Sequence, residues 1–547
     1  MNKSDESNLS DLGKSYHVDS DTGFDRLLTG VKLASLSNPR VLIVNPSIDY
    51  LNGQLLELSK CCNVVVAHDE PIDLNVEHDF SFYQDNLPAL DIITRLEISF
   101  DFIFICNTEE LITEPQIPRA FRKISNLLKP NGKVVFLSKN ELYQDHIANQ
   151  ATLKGLVIVK NEVITLSSLN FFYLEFRLPD DGTGAFPFIR HVALNDGKAA
   201  THKLALLRVL LRIADGHPGA VIRRENGRVV IPVGLVALYW CHQYKILIDE
   251  FNIAQTPNVN PNMGFMKADG WHKLTGRSSS DYRIGHFFVG DDAKALCKTL
   301  THAVQNIKNM PCTYITYPNS KEPVFDIQNN SVRSKETLFL DLLTLNQWGE
   351  FSLPESIWLA FNRYACWIEP VLISEWISTM AGYKGNAHFK ASKEQYKLAE
   401  ALRWLDPERT TKAVRKRFEA LQQKKTQHCV WSNKKLDTEF DIDHCMPFAR
   451  WPNNDLWNLM PTNSQVNRQK SDQLPSEARL VNSKNRITDW WQEAWLADDE
   501  SNKQLFFSEV NLALPGLTAS NDSIDDVFEA LLLQQSRLKE MQQLKEW

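Results

Sequence analysis

The sequence predicts a multidomain protein of mixed α/β plus α class: an N-terminal sheet domain, a mostly helical middle, and a small strand-and-helix module near the C-terminus. Three observations predict it. Between Pro39 and Leu178 short apolar runs alternate with amphipathic stretches, the pattern of a parallel sheet with helical crossovers. Between His202 and Tyr383 apolar residues recur mostly at helical spacing. From Asp441 to Asp472 the chain reads DIDHCMPFARWPNNDLWNLMPTNSQVNRQKSD, a strand pattern and a capped helix carrying polar side chains that no core requires. A chain of 547 residues is long enough for about three domains, each with its own core.

In the N-terminal domain, residues 39–180, the runs VLIVNP at Val41, NVVVAHDE at Asn63, FDFIFICN at Phe100 and GKVVFLSKN at Gly132 read as buried strands. LVIVKNEVITL and NFFYLEFRL read as an antiparallel hairpin closing the sheet edge. A polar extension, residues 1–38, precedes them, and DDGTGAFPF around Asp180 is a linker. In the middle domain, 186–383, THKLALLRVLLRIAD has a helical apolar face, RRENGRVVIP reads as a β-wing and VGLVALYWCHQYKILID as the next helix. Helix, wing, helix can read nucleic acid, but core packing is the plainer account. Trp358, Trp367 and Trp376, nine residues apart, predict two packed helices broken near Pro370. A polar linker and basic helix occupy 384–427, the module 428–490, and amphipathic helices 491–547, the last from about Ile524.

Within the module, Glu439–His444 alternates Phe440 and Ile442 with polar neighbours and reads as a strand. Cys429, Val430 and Trp431 read as the strand before it, with the turn at Asn433. Thr462-Asn463-Ser464-Gln465 has capping-box form, so a helix is predicted to about Ser471 with Asn463, Asn467 and Lys470 on one face.

These residue types suit hydrolysis of a phosphodiester, which needs an activated water, a cation to neutralise developing charge, and a group that orients the phosphate. His444 can be the general base, because an imidazole is largely neutral near pH 7. Asp443 points to the opposite strand face and suits Mg²⁺ or Mn²⁺ as a hard oxygen ligand; Asn467 offers a second oxygen. Asn458, in the intervening loop, can tie backbone beside His444.

The stretch from Cys429 to Arg486 resembles the HNH, or ββα-metal, endonuclease motif, with spacing similar to the HNH domain of RNA-guided CRISPR effectors. The resemblance implies that Asp443 and Asn467 bind the metal, His444 is the base, Asn458 holds the loop and Lys470 approaches the phosphate. Many HNH proteins add two C-x-x-C pairs around a structural zinc. Here Cys429 and Cys445 are the only cysteines nearby, so no structural zinc is expected.

Net charge is −7, from 60 Lys and Arg against 67 Asp and Glu, which argues against indiscriminate nucleic-acid binding. From Thr410 to Trp490, however, fourteen basic residues face nine acidic ones. Lys412, Arg415, Lys416, Lys424, Lys425, Arg468 and Lys470 are therefore the candidate nucleic-acid contacts, against the reading of a merely solvated helix face. The polar N-terminus predicts no secretory signal, no apolar run is long enough for membrane insertion, and nine cysteines without a framework suit reduced thiols in a cytoplasmic protein.

The N-terminal segment resembles a class I methyltransferase fold, in FDFIFICNTEEL followed by FRKISNLLKPNGKVVFLSKNE. That implies a Rossmann-like domain. Its first strand ends VNPSIDYLNG where a glycine-rich cofactor loop belongs, and NPPY-like and Pro-Cys-Gln-like motifs do not occur. A non-catalytic domain without S-adenosylmethionine is expected; Asp69 stands where a ribose-binding acid would lie, and reads more plainly as a strand-end acid. In architecture and length the chain resembles the stand-alone HNH effectors of bacterial anti-phage systems, in particular the nuclease of type II Zorya systems. That resemblance implies phage DNA as target and a membrane-embedded motor complex as activator. The expected function is thus a regulated DNA nickase. The alternatives are a bifunctional restriction-modification protein with an active methyltransferase-like domain, and an RNA-cleaving HNH effector.

Overall fold

The computed structural model describes residues 38–46, 58–60, 62–71, 80–87, 89–106, 117–138, 147–148, 151, 156–166, 169–178, 182–257, 264–403, 408–497, 499–517 and 523–547. The polar extension through residue 37 and residues 47–57, where the cofactor-binding segment was expected, lie outside them. The chain forms two compact units, divided between Gly184 and Ala185, with Pro318–Lys321 belonging to the first.

The first unit is a seven-stranded sheet. Strands β1 (Arg40–Val44), β2 (Asn63–His68), β3 (Ser81–Gln84), β4 (Phe100–Ile105), β5 (Leu128–Ser138), β6 (Val157–Leu166) and β7 (Leu169–Arg177) run in the order β3-β2-β1-β4-β5-β7-β6. The first five are parallel, and β7 enters antiparallel between β5 and β6. This is a Rossmann-like, methyltransferase-like topology. Strand alternation explains the unbroken apolar runs: Leu42 and Val44 enter one core while Val41 and Ile43 enter the other, so both faces are covered. Helix α1 (Ile117–Leu127) supplies Phe121, whose ring lies 5.3 Å from that of Phe136 and 5.9 Å from that of Phe176. The sequence reading missed β3, which is four residues long and has no buried position. Asp69 follows β2 and meets the His68 ring at 3.1 Å.

The second unit begins with a mostly helical core built on α2 (His202–Gly216), α3 (Val233–Lys245), α4 (Gly290–Ile307) and α5 (Glu355–Ala381). The expected wing is a hairpin of β8 (Arg223–Glu225) and β9 (Arg228–Pro232), turned by Asn226 and Gly227 at positive φ. It is not free-standing. Strands β10 (Phe287–Val289) and β12 (Thr337–Phe339) make a separate pair, while β11 (Asp326–Asn329) and β13 (Gly349–Pro354) extend the hairpin to a four-stranded sheet, β11-β13-β9-β8.

The break expected near Pro370 falls instead at Tyr364, where φ −123° and ψ 21° leave the helical region within α5. The tryptophan spacing also fits this one element. Nine residues turn a helix by half a revolution, so Trp358 and Trp376 share a buried face and Trp367, between them, is 73% exposed.

The C-terminal part has its own core, from Val414 to Leu538. It holds α6 (Lys412–Gln422), the pair β14 (Gln427–His428) and β15 (Lys435–Leu436), then β16 (Phe440–His444), β17 (Leu459–Asn463) and α7 (Ser464–Lys470). Helices α8 (Glu477–Trp491), α9 (Glu500–Ala513) and α10 (Ile524–Gln542) complete it. Helix α9 also joins this core to the middle domain. Leu512 packs in the middle core, and the backbone at Gly219 approaches so closely that a Cβ there would strike the carbonyl oxygens of Asn511 and Leu514. Arg537 of α10 donates to the carbonyls of Ala214 and Asp215 at the end of α2, the latter at 2.7 Å.

Candidate active site

Strand β16 pairs antiparallel with β17, placing Asp443 opposite Met460 and His444 opposite Leu459. The expected partner, Cys429–Trp431, is instead a turn: the Cys429 N–H donates to Lys434 O, Asn433 N–H donates to Cys429 O, and Asn433 has φ 57°. The true partner was hidden by Pro461, since a proline demotes a run to an edge strand. Helix α7 starts directly after β17, with the Asn463 carboxamide oxygen accepting from the N–H groups of Gln465 and Val466.

Residues two apart on a strand share a face, so Asp441 and Asp443 both meet α7, where Asn467 and Lys470 stand one turn apart. Asn467 Nδ2 donates to Asp441 Oδ2 at 3.1 Å. Lys470 Nζ donates to Asp443 Oδ1 at 3.0 Å and to the His444 carbonyl at 2.6 Å. The other oxygen of Asp443 accepts from Trp431 Nε1 at 3.0 Å. Asp443, His444 and Lys470 are all buried. Lys470 therefore serves here as counter-ion to Asp443.

His444 Nε2 lies 3.1 Å from Asn454 Oδ1, and its ring packs edge-on against Phe448 at 5.1 Å. Nδ1 is buried and has no hydrogen-bond partner among the described residues. Burial lowers the imidazole pKa below 6.5; the Asn454 bond opposes this, while Arg409 adds to it. The ring is thus neutral near pH 7, with one nitrogen held and the other uncommitted.

Asn458 closes the loop between the two strands. Its Oδ1 accepts from Met446 N–H at 2.7 Å, its Nδ2 donates to the carbonyls of Met446 and Asn453, and its own carbonyl accepts from Cys445 N–H. Beneath the loop, Asp455 accepts from Asn453 Nδ2 and Trp457 Nε1, and Glu509 accepts from Leu456 N–H. Surrounding protein raises the Asp455 pKa to about 6, against the two hydrogen bonds that lower it, and burial followed by the Asp455 charge raises that of Glu509.

The basic candidates separate by their partners. Arg415 stacks on Phe440 at 4.4 Å and donates to its carbonyl, and Lys425 pairs with Glu493 at 2.6 Å. Lys412, Lys416, Lys424 and Arg468 are exposed and have no ion pair among the described residues. Sequence reasoning missed Asp441, Trp431, Asn454 and Arg409. Asp441 was legible, being two residues before Asp443 on the same strand; the others are brought in by loops and had no local signal.

Among the described residues no three His, Cys, Asp or Glu side chains converge on a metal position. The donors that are present are hard oxygens of the kind such a cation takes: Asp441 and Asp443 on one strand face, the latter engaged on both oxygens by Lys470 and Trp431, and Asn467 beside Asp441, its Oδ1 without a hydrogen bond among the described residues. The buried ammonium already at Asp443 marks a position that favours positive charge.

Comparison with known proteins matches residues 429–476 to a family described as HNH endonuclease, and residues 182–401 to a domain of unknown function (DUF8808). Residues 429–476 are thus similar to HNH endonucleases, a class of phosphodiester hydrolase that acts on nucleic acid and typically uses a divalent metal ion, which supports a nuclease. No curated protein matches the chain. Solved structures similar to it include a putative methyltransferase from Thermoplasma acidophilum (12% identity, 28% of this chain and 75% of that one, TM-score 0.22). Others are the glycopeptide N-methyltransferase MtfA (10%, 30% and 93%, TM-score 0.24) and TrmN from Thermus thermophilus (16%, 28% and 48%, TM-score 0.23). Sheet order, rather than these alignments, defines the N-terminal fold. Among the described residues no helix is long and apolar enough to cross a membrane.

Proposed function

We propose that the protein is a metal-dependent HNH endonuclease that nicks DNA, with His444 as general base. The observation that carries this reading is the strand β16, which sends Asp441 to Asn467 and Asp443 to Lys470 on one face and the neutral, half-committed His444 ring to the other. Asp443 and Asn467 are the residues that would hold Mg²⁺ or Mn²⁺. When bound, the ion would neutralise charge developing on the phosphate and the leaving oxygen. His444 would take the proton of the attacking water at Nδ1, the nitrogen without a protein partner. Asn458 keeps the loop, and with it the base, in place. Lys470 would hold Asp443 charged and in place as its buried counter-ion.

One such site cuts one strand per encounter, so the product is a nick. Exposed Lys412, Lys416, Lys424 and Arg468 are the backbone contacts in this reading. Resemblance in architecture supports phage DNA as the target and a membrane motor complex as the trigger. The test is conversion of supercoiled plasmid to open circles by the full-length protein with Mg²⁺ or Mn²⁺. Metal-dependent nicking that vanishes in His444→Ala supports the reading; nicking undiminished in that variant overturns it.

A further inference from the structure

Asn454 is held from three directions. Its Nδ2 donates to the Glu408 carbonyl at 2.8 Å, its Oδ1 accepts from the Thr410 N–H at 3.2 Å, and the same oxygen lies 3.1 Å from His444 Nε2. The two backbone partners fix which way the carboxamide faces. A carbonyl can only accept, so it takes the NH₂ side; a backbone N–H can only donate, so it takes the oxygen. The atom facing His444 is therefore an acceptor, and an imidazole nitrogen beside an acceptor carries its hydrogen. In the neutral ring the other nitrogen, Nδ1, then holds the lone pair. Nδ1 is the buried nitrogen without a protein partner.

We infer that Asn454 is a positioning residue: it sets the tautomer and orientation of His444, and the backbone of Glu408 and Thr410 holds it in that role. This rests on the nuclease reading of His444. Glu408 and Thr410 lie in the segment between the middle helices and α6, so the base is oriented by the chain that joins the nuclease module to the rest of the protein. A displacement of that segment would free the Asn454 carboxamide to rotate, and the ring would lose the acceptor that selects its reactive form.

The test uses full-length protein in four forms: wild type, Asn454→Ala, Asn454→Asp and His444→Ala. Two readouts are taken, steady-state nicking of supercoiled plasmid with Mn²⁺ and the ring-nitrogen NMR frequencies of ¹⁵N-histidine-labelled, metal-free protein. His444→Ala identifies the His444 signal. The expected spectrum of wild type is the Nε2–H tautomer, with a mixture in Asn454→Ala. Asn454→Ala should lower kcat on the order of 10²-fold with KM unchanged, within the span of a misplaced general base. Asn454→Asp, which keeps an acceptor oxygen toward Nε2, should recover most of that loss. An Nδ1–H tautomer in wild type overturns the inference, as does wild-type kcat in Asn454→Ala while His444→Ala is inactive. If wild type itself does not nick, the reading of a nuclease active without its trigger fails, and the NMR spectrum still decides the inference. If Asn454→Ala does not fold, the wild-type spectrum and the Asp variant decide it.

Discussion

Lys470 and Asp443 form an ion pair of 3.0 Å that is closed to solvent on both sides, with the Trp431 indole on the second carboxylate oxygen. An ion in such a place is tolerated because its partner is there; the pair adds little beyond a well-packed apolar replacement, but removing one half strands the other. Lys470→Met should therefore lower the stability of the C-terminal core by about 3–5 kcal/mol. Asp443→Asn combined with Lys470→Met should recover much of the loss. Urea unfolding of the full chain checks this, and a Lys470→Met variant as stable as wild type would count against a buried pair.

Adding a divalent cation should raise the melting temperature. A ligand that binds only the folded state stabilises it by about 2.7 kcal/mol when present at a hundred times its Kd. The shift with Mg²⁺ or Mn²⁺ should disappear in Asp443→Asn and shrink in Asn467→Ala. An equal shift in all three proteins would place the cation elsewhere.

DNA affinity should depend on salt through the exposed basic residues. Each phosphate neutralised contributes about −0.9 to the slope of log K against log salt. Replacing Lys412, Lys416, Lys424 and Arg468 together by Gln should flatten that slope by as much as about 3.6 units, measured by fluorescence anisotropy with a duplex. Arg415→Ala should act first on stability, since its guanidinium packs on Phe440 and bonds its carbonyl. An unaltered slope in the quadruple variant would mean that DNA approaches another face.

Asp455 and Glu509 give the interface under the loop a pH dependence of known sign. Both carboxyls titrate above their unfolded values, Asp455 near 6 instead of 3.8, so between those limits the folded protein holds protons that the unfolded chain has lost. Their contribution to stability is complete below about pH 4 and falls as pH rises through about 6. Glu509→Gln keeps an oxygen for the Leu456 N–H and removes one of the two charges. It should raise the melting temperature at pH 7.5 and reduce the difference between pH 7.5 and pH 5. A variant less stable than wild type at pH 7.5 would contradict this.

Gly219 has no room for a side chain against the turn that ends α9. Gly219→Ala should cost about 1–3 kcal/mol, as overpacking does, and loosen the contact between the middle domain and the nuclease core. Limited proteolysis between residues 403 and 412 should then become faster; an unchanged digestion pattern would show that the contact yields without cost.

Much of this architecture is local in origin and was legible in the sequence. β1, β2, β4 and β5 announce themselves by the continuous apolar runs that a strand buried on both faces needs, and the order of strand and crossover then constrains the sheet. Helix α7 is announced by the polar run Thr462–Gln465, although its cap is Asn463 and Thr462 belongs to β17. Where local signals conflict with packing they mislead. Pro461 disguised β17, Cys429–Trp431 has strand residues in a turn, and the break expected near Pro370 lies at Tyr364.

The sequence by itself determined that Asp443 and His444 share a short strand and that Asn467 and Lys470 share a helix face, because alternation and helical repeat act over a few residues. Only the tertiary structure decided that Trp431 closes the second oxygen of Asp443, that Lys470 neutralises the first, and that Asn454 faces His444. Trp431 and Asn454 arrive on a turn and a loop, and Lys470 on α7, from 10 to 27 residues away in the chain. Their positions follow from which buried polar groups must find a donor or acceptor once water is excluded, and that requirement exists only after the chain has folded.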